Sequence, residues 1–406
     1  MQTSAYCSTA QRPSSFDDLA HLMMTSFEPL TCQHDQFSLP AGLTYLNSAY
    51  MGPLPKATQV AGTEALLRRA VPSSLTPDDF FEPAERVRRL CAGLVNADPE
   101  RVALIPTTSY GTAIVAKNLR PQPGCNVVLL AEQFPSNVHP WRAWRREGVE
   151  LRAVDAPDDS DWTDALIDAI DARTQLVAVE QAHWTNGKLI DLVRLGVAAR
   201  AVGAMFVIDA TQTVGAMPLD VQQVKPDALI VHSYKAMLCN YGLGFMVLGE
   251  RLLDGSPLED GWLMRAGSRN FTTLTDYADD YAGGARRYDS SLRANPVLIA
   301  MLEASCQLLT EWRPQRIRDY LLTIERPFVQ RLREAGFDIA DEHARAANLF
   351  GVGLNGVGSP ETVRAALAAR NIQVSVRGSS LRVSPHVYNS IEDLMTLADA
   401  LIGLRS

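Results

Sequence analysis

Dense blocks of lysine and arginine, paired cysteines and long apolar runs are all missing from this chain of 406 residues. Its formal net charge is −8. Without a basic cluster, nucleic acid and anionic membrane surfaces are unsuitable partners. No stretch approaches the length of a membrane-spanning helix. The amino-terminal "MQTSAYCSTAQRPSS" lacks a charged segment followed by an apolar one, so the expected location is the cytoplasm. The six cysteines, at positions 7, 32, 91, 125, 239 and 306, form no C-x-x-C pair, which argues against a zinc site and a disulfide framework. No metal is expected. The chain also lacks G-x-x-x-x-G-K-[ST] and G-x-S-x-G, which weakens a nucleoside triphosphatase or a serine hydrolase. The nearest approach to a dinucleotide fingerprint, "NYGLGF", leads into a strand pattern instead of opening a helix.

What is present is a 47% hydrophobic composition, enough to bury a large core. Short β-branched runs alternate with helical patterns: "VALIP" (102–106), "NVVLL" (126–130), "TQLVAVE" (174–180), "MFVIDAT" (205–211) and "ALIVHS" (228–233). Continuous apolar strands separated by helices predict an α/β fold, with a mostly parallel sheet covered on both faces. "GTAIVAKNL", "WTDALIDAI" and "LVRLGVAARAVG" read as helices, and antiparallel "GFMVLG" closes this region. From about residue 297 long amphipathic helices and short strands replace the alternation, predicting a smaller α+β domain. "RPSSFDDLAHLMMTSF" near the start reads as a helix opened by a serine cap.

Four segments carry chemistry. Lys235 sits in the apolar run "VHSYKAMLCNYGLGFMVL", although an isolated ammonium is costly to remove from water. Asp209 ends an all-apolar strand, at the edge where open parallel sheets bind ligands. A strand runs into Thr107, Thr108, Ser109, Tyr110 and Gly111 and then a helix, whose free amides suit a phosphate. Phe134, in "AEQFPSNVHPW", offers a flat face from a loop after another strand. Singly, each has an ordinary explanation: an ion pair or N-cap for Asp209, helix capping for the hydroxyls, core packing for Phe134. Together they fit pyridoxal 5′-phosphate, which joins a lysine through an imine, pairs its ring nitrogen with a carboxylate and stacks on an aromatic. A base of this kind should have a pKa lowered from about 10.4 toward neutrality.

The motifs "YLNSAYMGPLP" (45–55), "TTSYGT", "FPSNVHPW", "HWTNG", "DATQ", "SYK" and "LRVSPHVYN" (381–389) occur in an order that resembles fold-type I pyridoxal-phosphate enzymes of the class V aminotransferase group. That group includes cysteine desulfurases, kynureninases and isopenicillin N epimerase-like proteins. The resemblance implies a seven-stranded, mostly parallel sheet in a large domain of residues 46–296. Residues 1–45 and 297–406 would form a small domain built from both termini. Carried over residue by residue, Lys235 is the Schiff-base lysine, Asp209 the partner of the ring nitrogen and Gln212 a neighbour of the ring's phenolic oxygen. Thr108, Ser109, His232 and Tyr234 hold the phosphate, Phe134 stacks on the ring, Asn47 lines the substrate pocket and Arg382 receives the α-carboxylate. His183 falls where relatives place a residue beside the cofactor, and a satisfied structural histidine is the other reading.

Cys239 and Asn240 stand where many relatives carry Gly-Pro, and Ser290 and Ser291 replace a more usual Gly-Thr. No cysteine follows Cys306, so a persulfide relay from a carboxyl-terminal loop is disfavoured. The resemblance then implies a lyase acting on a small-molecule α-amino acid, by β-elimination or carbon–sulfur cleavage, in specialised metabolism. Transamination, epimerisation and decarboxylative chemistry stay open, as does a non-catalytic relative acting as a binding protein. A homodimer with sites at its interface is expected, with Arg293 reaching across to the neighbour.

Overall fold

The computed structural model describes residues 28–157 and 161–405. The helix expected around residues 12–27 lies outside them. Twelve strands are present among the described residues: β1 (Thr44–Tyr45), β2 (Val102–Ile105), β3 (Asn126–Leu130), β4 (Glu150–Val154), β5 (Thr174–Glu180), β6 (Met205–Asp209), β7 (Ala228–His232), β8 (Gly244–Leu248), β9 (Phe350–Gly353), β10 (Ile372–Gln373), β11 (Ser375–Arg377) and β12 (Ser380–Val383).

Seven of these form one sheet in the order β2-β8-β7-β6-β5-β3-β4. Only β8 runs against its neighbours, pairing antiparallel with both β2 and β7. "GFMVLG" is thus antiparallel as expected and the last of these seven strands in the chain, and it lies in the interior of the sheet. Every strand but β4 is buried along its length or nearly so, which explains their unbroken apolar composition. Alternate residues enter two separate cores: Val128, Leu130, Phe206 and Ile208 pack on one face, Val127, Leu129, Met205 and Val207 on the other. β4 was not anticipated. Its sequence, Glu-Leu-Arg-Ala-Val, is half-exposed at the sheet edge, so it shows no apolar run.

Because β2, β3, β5, β6 and β7 point the same way, their carboxyl ends share one edge of the sheet. The chain leaves β3 toward β4 on one side and leaves β5 toward β6 on the other. That reversal opens a crevice at the carboxyl edge, the usual binding place in open α/β sheets.

The carboxyl-terminal region follows the expected pattern, with helices Pro296–Trp312, Pro314–Glu334 and Ile391–Arg405 around an antiparallel sheet in the order β11-β12-β9. Chain from near the amino terminus joins it: β1 pairs in parallel with β10, and Asn47 bridges to Ser384.

One expectation is corrected here. Arg293 does not point away toward a neighbour; it is 3% exposed and lies 3.1 Å from Asp289 of its own chain. Asp289 also pairs with Arg88 at 2.7 Å and accepts the Leu104 amide at 2.7 Å, so this cluster anchors the end of β2. A buried carboxylate demands such partners, and two arginines supply them.

The "HWTNG" loop after β5 is stitched to the carboxyl-terminal region by amide bonds from Ala346 to the Gly187 carbonyl (2.9 Å) and from Gly351 to the Asn186 carbonyl (3.0 Å). Gly187 has φ +73°, and a Cβ there would lie 1.8 Å from the Leu349 carbonyl oxygen. Gly187→Ala should lower stability by about 2–5 kcal/mol through backbone strain and overpacking, measured by urea unfolding. A midpoint equal to that of the parent would contradict this packing.

Candidate active site

A cavity of about 140 Å³ opens at the carboxyl edge of the large sheet, with Lys235, Asp209, Phe134 and the Thr107–Ser109 turn in its wall. Lys235 follows β7 in a tight turn whose carbonyl accepts the Leu238 amide at 2.9 Å. The "YMGPLP" segment packs directly on this turn. The Gly52 amide donates to the Tyr234 carbonyl at 2.9 Å, and a Cβ on Gly52 would come within 2.3 Å of the Lys235 carbonyl oxygen.

Lys235 is 6% exposed and has no ion-pair partner within salt-bridge distance among the described residues. Its Nζ lies 5.0 Å from the centre of the Phe134 ring and 5.3 Å from that of Tyr234. Burial lowers its pKa to about 8; Asp209 opposes the shift and the Arg382 charge adds to it. The amine is thus far easier to deprotonate than a lysine in water.

Asp209 ends β6, directly beside Glu180 at the end of β5. Its Oδ1 accepts the Thr211 amide at 3.0 Å. Burial raises its pKa, against the lowering pull of Thr211 and Lys235. Gln212 is buried in the same wall; its Nε2 donates to the Ala49 carbonyl at 3.4 Å, while Oε1 has no partner among the described residues.

The hydroxyl turn behaves as a helix start. Thr107 caps the helix Thr108–Asn118 by accepting the Tyr110 amide on Oγ1 at 3.1 Å. The next amides, of Thr108 and Ser109, are ones that a helix cannot satisfy internally. Thr108 Oγ1 lies 3.2 Å from Thr211 Oγ1, and Ser109 Oγ donates to Ser136 Oγ at 2.9 Å. His232 accepts the Gly242 amide on Nε2 at 3.2 Å, which leaves Nδ1 as its protonated nitrogen. Burial and the nearby Lys235 lower its pKa to about 4, so the ring is neutral at neutral pH. Its ring lies 4.6 Å from Tyr234 and 4.5 Å from Tyr241, forming an aromatic cluster in the wall.

Three residues singled out in the sequence do not line this cavity. His183 is turned away: Nε2 lies 3.2 Å from the Ala131 carbonyl, and Nδ1 lies 2.8 Å from Thr185 Oγ1. Both ring nitrogens are committed, which is the satisfied structural histidine. Arg382 and Asn47 sit one layer back. Arg382 Nη1 donates to the Trp184 carbonyl at 2.9 Å; Ser375 Oγ donates to Asn47 Oδ1 at 2.6 Å and lies 3.5 Å from Arg382 Nη2. Ser375 therefore joins Asn47 to Arg382.

Glu180 was missed, yet it organises the wall. Its Oε1 accepts the Phe134 amide at 2.8 Å and its Oε2 accepts the Trp184 amide at 2.7 Å. One carboxylate therefore fixes both aromatic loops, whose rings meet edge-on at 5.5 Å. Burial and the adjacent Asp209 raise its pKa to about 8. The signal was available: Glu180, like Asp209, is an acid at the carboxyl end of an apolar strand. Trp184 and Tyr241 were also missed, because a loop aromatic carries no periodic signal.

The family model for class-V aminotransferases matches residues 74–397. The uncharacterized aminotransferase YcbU of Bacillus subtilis is 25% identical over 339 residues, 80% of this chain and 84% of its own. Isopenicillin N epimerase of Streptomyces clavuligerus is 29% identical over 53% of this chain and 56% of its own, and a Burkholderia mallei kynureninase is 27% identical over 51% of each. Among solved structures, the apo cysteine desulfurase of Thermococcus onnurineus superposes with a TM-score of 0.79, at 20% identity, over 93% of this chain and 99% of its own. The cystine C–S lyase C-DES, in complex with cysteine persulfide, gives 0.79 at 19% identity over 89% and 98%. The chain belongs to the class-V aminotransferase family, fold-type I enzymes whose cofactor is pyridoxal 5′-phosphate.

Proposed function

We propose that this enzyme is a lyase acting on an α-amino acid, breaking a bond at the β-carbon by elimination or carbon–sulfur cleavage. The observation that carries the reading is the buried, unpaired Lys235 amine, with a pKa near 8, at the wall of an enclosed cavity. Such an amine can take the substrate's α-proton and hand it on to a leaving group. No described cysteine lines the cavity, which supports a reaction without a persulfide relay. The kynureninase relative and the C–S lyase fold neighbour support the same class of chemistry.

The residues present fit the cofactor. Bound there, pyridoxal phosphate supplies an electron-accepting ring conjugated to the substrate's nitrogen. Asp209, with Oδ1 already oriented by Thr211, would hold the proton on the ring nitrogen. Gln212, whose Nε2 makes only a long 3.4 Å bond to the Ala49 carbonyl, would donate from that nitrogen to the ring's phenolic oxygen. The free amides and hydroxyls at Thr108 and Ser109 would hold the phosphate, with the neutral His232 donating from Nδ1 and Tyr234 from its hydroxyl. Phe134 would cover the ring face, held in place through Glu180. Arg382 and Asn47, linked by Ser375, would receive the α-carboxylate, for which a planar guanidinium is suited.

We also propose a homodimer, closed at the cavity mouth. Tyr50, Met51 and Tyr241 are exposed around this end of the molecule, as are Val60, Leu66 and Leu67 on the helix Lys56–Arg69. Apolar exposure of this extent is characteristic of an interface. Sedimentation at assay concentration should show a dimer; a fully active monomer would contradict the proposal.

The reaction class is tested by mass spectrometry of products from the cofactor-loaded enzyme across a panel of amino acids. The lyase reading expects either a 2-oxo acid that has lost its β-substituent, together with ammonia and that substituent, or a shortened amino acid together with the group released from the β-carbon. A 2-oxo acid that keeps the whole side chain, with the amino group left on the cofactor, would make it an aminotransferase. A substrate recovered with inverted configuration would make it an epimerase.

A further inference from the structure

Arg377 stands apart from the other partly or fully buried arginines near the centre of the molecule. Arg88 and Arg293 share Asp289, and Arg345 pairs with Glu325 at 2.6 Å. Arg377 and Arg382 have no carboxylate within salt-bridge distance among the described residues, and the Nε of each is buried without a partner. Two neighbouring guanidiniums without a counter-ion repel each other and have lost part of their hydration.

The β11–β12 register shows how the two are placed. Ser375 is opposite Arg382, and Arg377 is opposite Ser380. Arg377 and Ser375 lie two residues apart on one strand, so they share a face with Arg382. Arg377 and Arg382 are thus diagonal neighbours, a relation that spans roughly 7–8 Å in an antiparallel pair. Both guanidiniums also approach the Trp184 ring, Arg377 at 5.2 Å and Arg382 at 6.0 Å from its centroid. Trp184 lines the cavity beside Phe134. The two charges are close enough to act on the site: after burial, each is among the groups that lower the Lys235 pKa, and burial, aided by Arg377, lowers that of Arg382 to about 9.

One carboxylate is satisfied by one planar fork. Arg382 already spends Nη1 on the Trp184 carbonyl and approaches Ser375 with Nη2, and Arg377 spends Nη1 on the Val376 carbonyl at 2.6 Å. What remains is a pair of separate, incompletely used forks on the same ribbon face, more than a single α-carboxylate can occupy.

We propose that Arg377 binds a second anionic group on the substrate side chain, so that the enzyme acts on α-amino acids with an acidic side chain. This rests on the reading of Arg382 as the α-carboxylate site. With both forks filled by substrate, the two guanidiniums gain the counter-charges that the protein withholds.

The test compares isosteric pairs, L-aspartate with L-asparagine and L-glutamate with L-glutamine, by their dissociation constants for the cofactor-loaded enzyme, measured from changes in the cofactor's absorbance. The parent should bind the acid of at least one pair more tightly by about tenfold or more, the increment of one hydrogen-bonded charge pair. Arg377→Gln should bring that ratio close to one while leaving affinity for the amide unchanged, and Arg377→Lys should retain part of the preference. Equal affinity for acid and amide in the parent would overturn the inference, without needing a variant. So would a preference that survives in Arg377→Gln, or a loss shared equally by acid and amide, which would make Arg377 a second ligand of the α-carboxylate. Borohydride reduction and peptide mapping of the same samples separate the two levels. If no pyridoxyl group is found on Lys235, the reading of the site fails; if it is there and the acid preference is absent, only the substrate inference fails.

Discussion

An amine held out of water without a carboxylate at hand is the constraint on which this site depends. Lys235 is enclosed by Phe134 and Tyr234, and its nearest formal charges act on it without forming an ion pair. In a protein built only for stability, such a lysine would be replaced or paired, since desolvating an ammonium is expensive. Here the cost falls on the protonated form, which is what turns a weakly reactive side chain into a base usable near neutral pH. The carboxylates that could have neutralised it are directed elsewhere: Asp209 is oriented by Thr211, and Glu180 is spent on two backbone amides.

The fold makes that division possible. Parallel strands deliver Glu180, Asp209 and the His232–Lys235 turn side by side at one edge, while the reversal of strand order between β3 and β5 leaves room above them. The loops from these two strands bring Phe134 and Trp184 into the gap, and Glu180 ties both to the sheet. The β11–β12 ribbon brings Arg382 and Arg377 close to the Trp184 ring, so the indole that lines the cavity also meets the basic pair.

Much of this was legible in the sequence, for physical reasons that differ from element to element. Strands buried on both faces are written as continuous apolar runs, so β2, β3, β5, β6 and β7 were visible; β4, exposed at an edge, was not. Lys235 and Asp209 were conspicuous because a charge inside an apolar run needs a justification. Glu180 obeys the same rule, but the "HWTNG" motif after its strand draws attention to His183 instead. His183 shows the converse: a histidine inside a recognised motif drew a cofactor role, but its two nitrogens are satisfied by Ala131 and Thr185. Arg293 was assigned to a neighbour's site because arginine is poor core material, and no local pattern in the sequence shows that Asp289 and Phe81 make a place for it.

The central claim is that burial, more than any neighbouring charge, sets the reactivity of Lys235. It is tested most directly by titrating that amine in the cofactor-free protein, following the pH dependence of its modification by a small acylating reagent with peptide-level detection. The account predicts a pKa of about 8, against 10.5 for an unperturbed lysine. A Lys235 that titrates with the surface lysines would contradict it, because the amine would then be hydrated or paired and could not serve as the base.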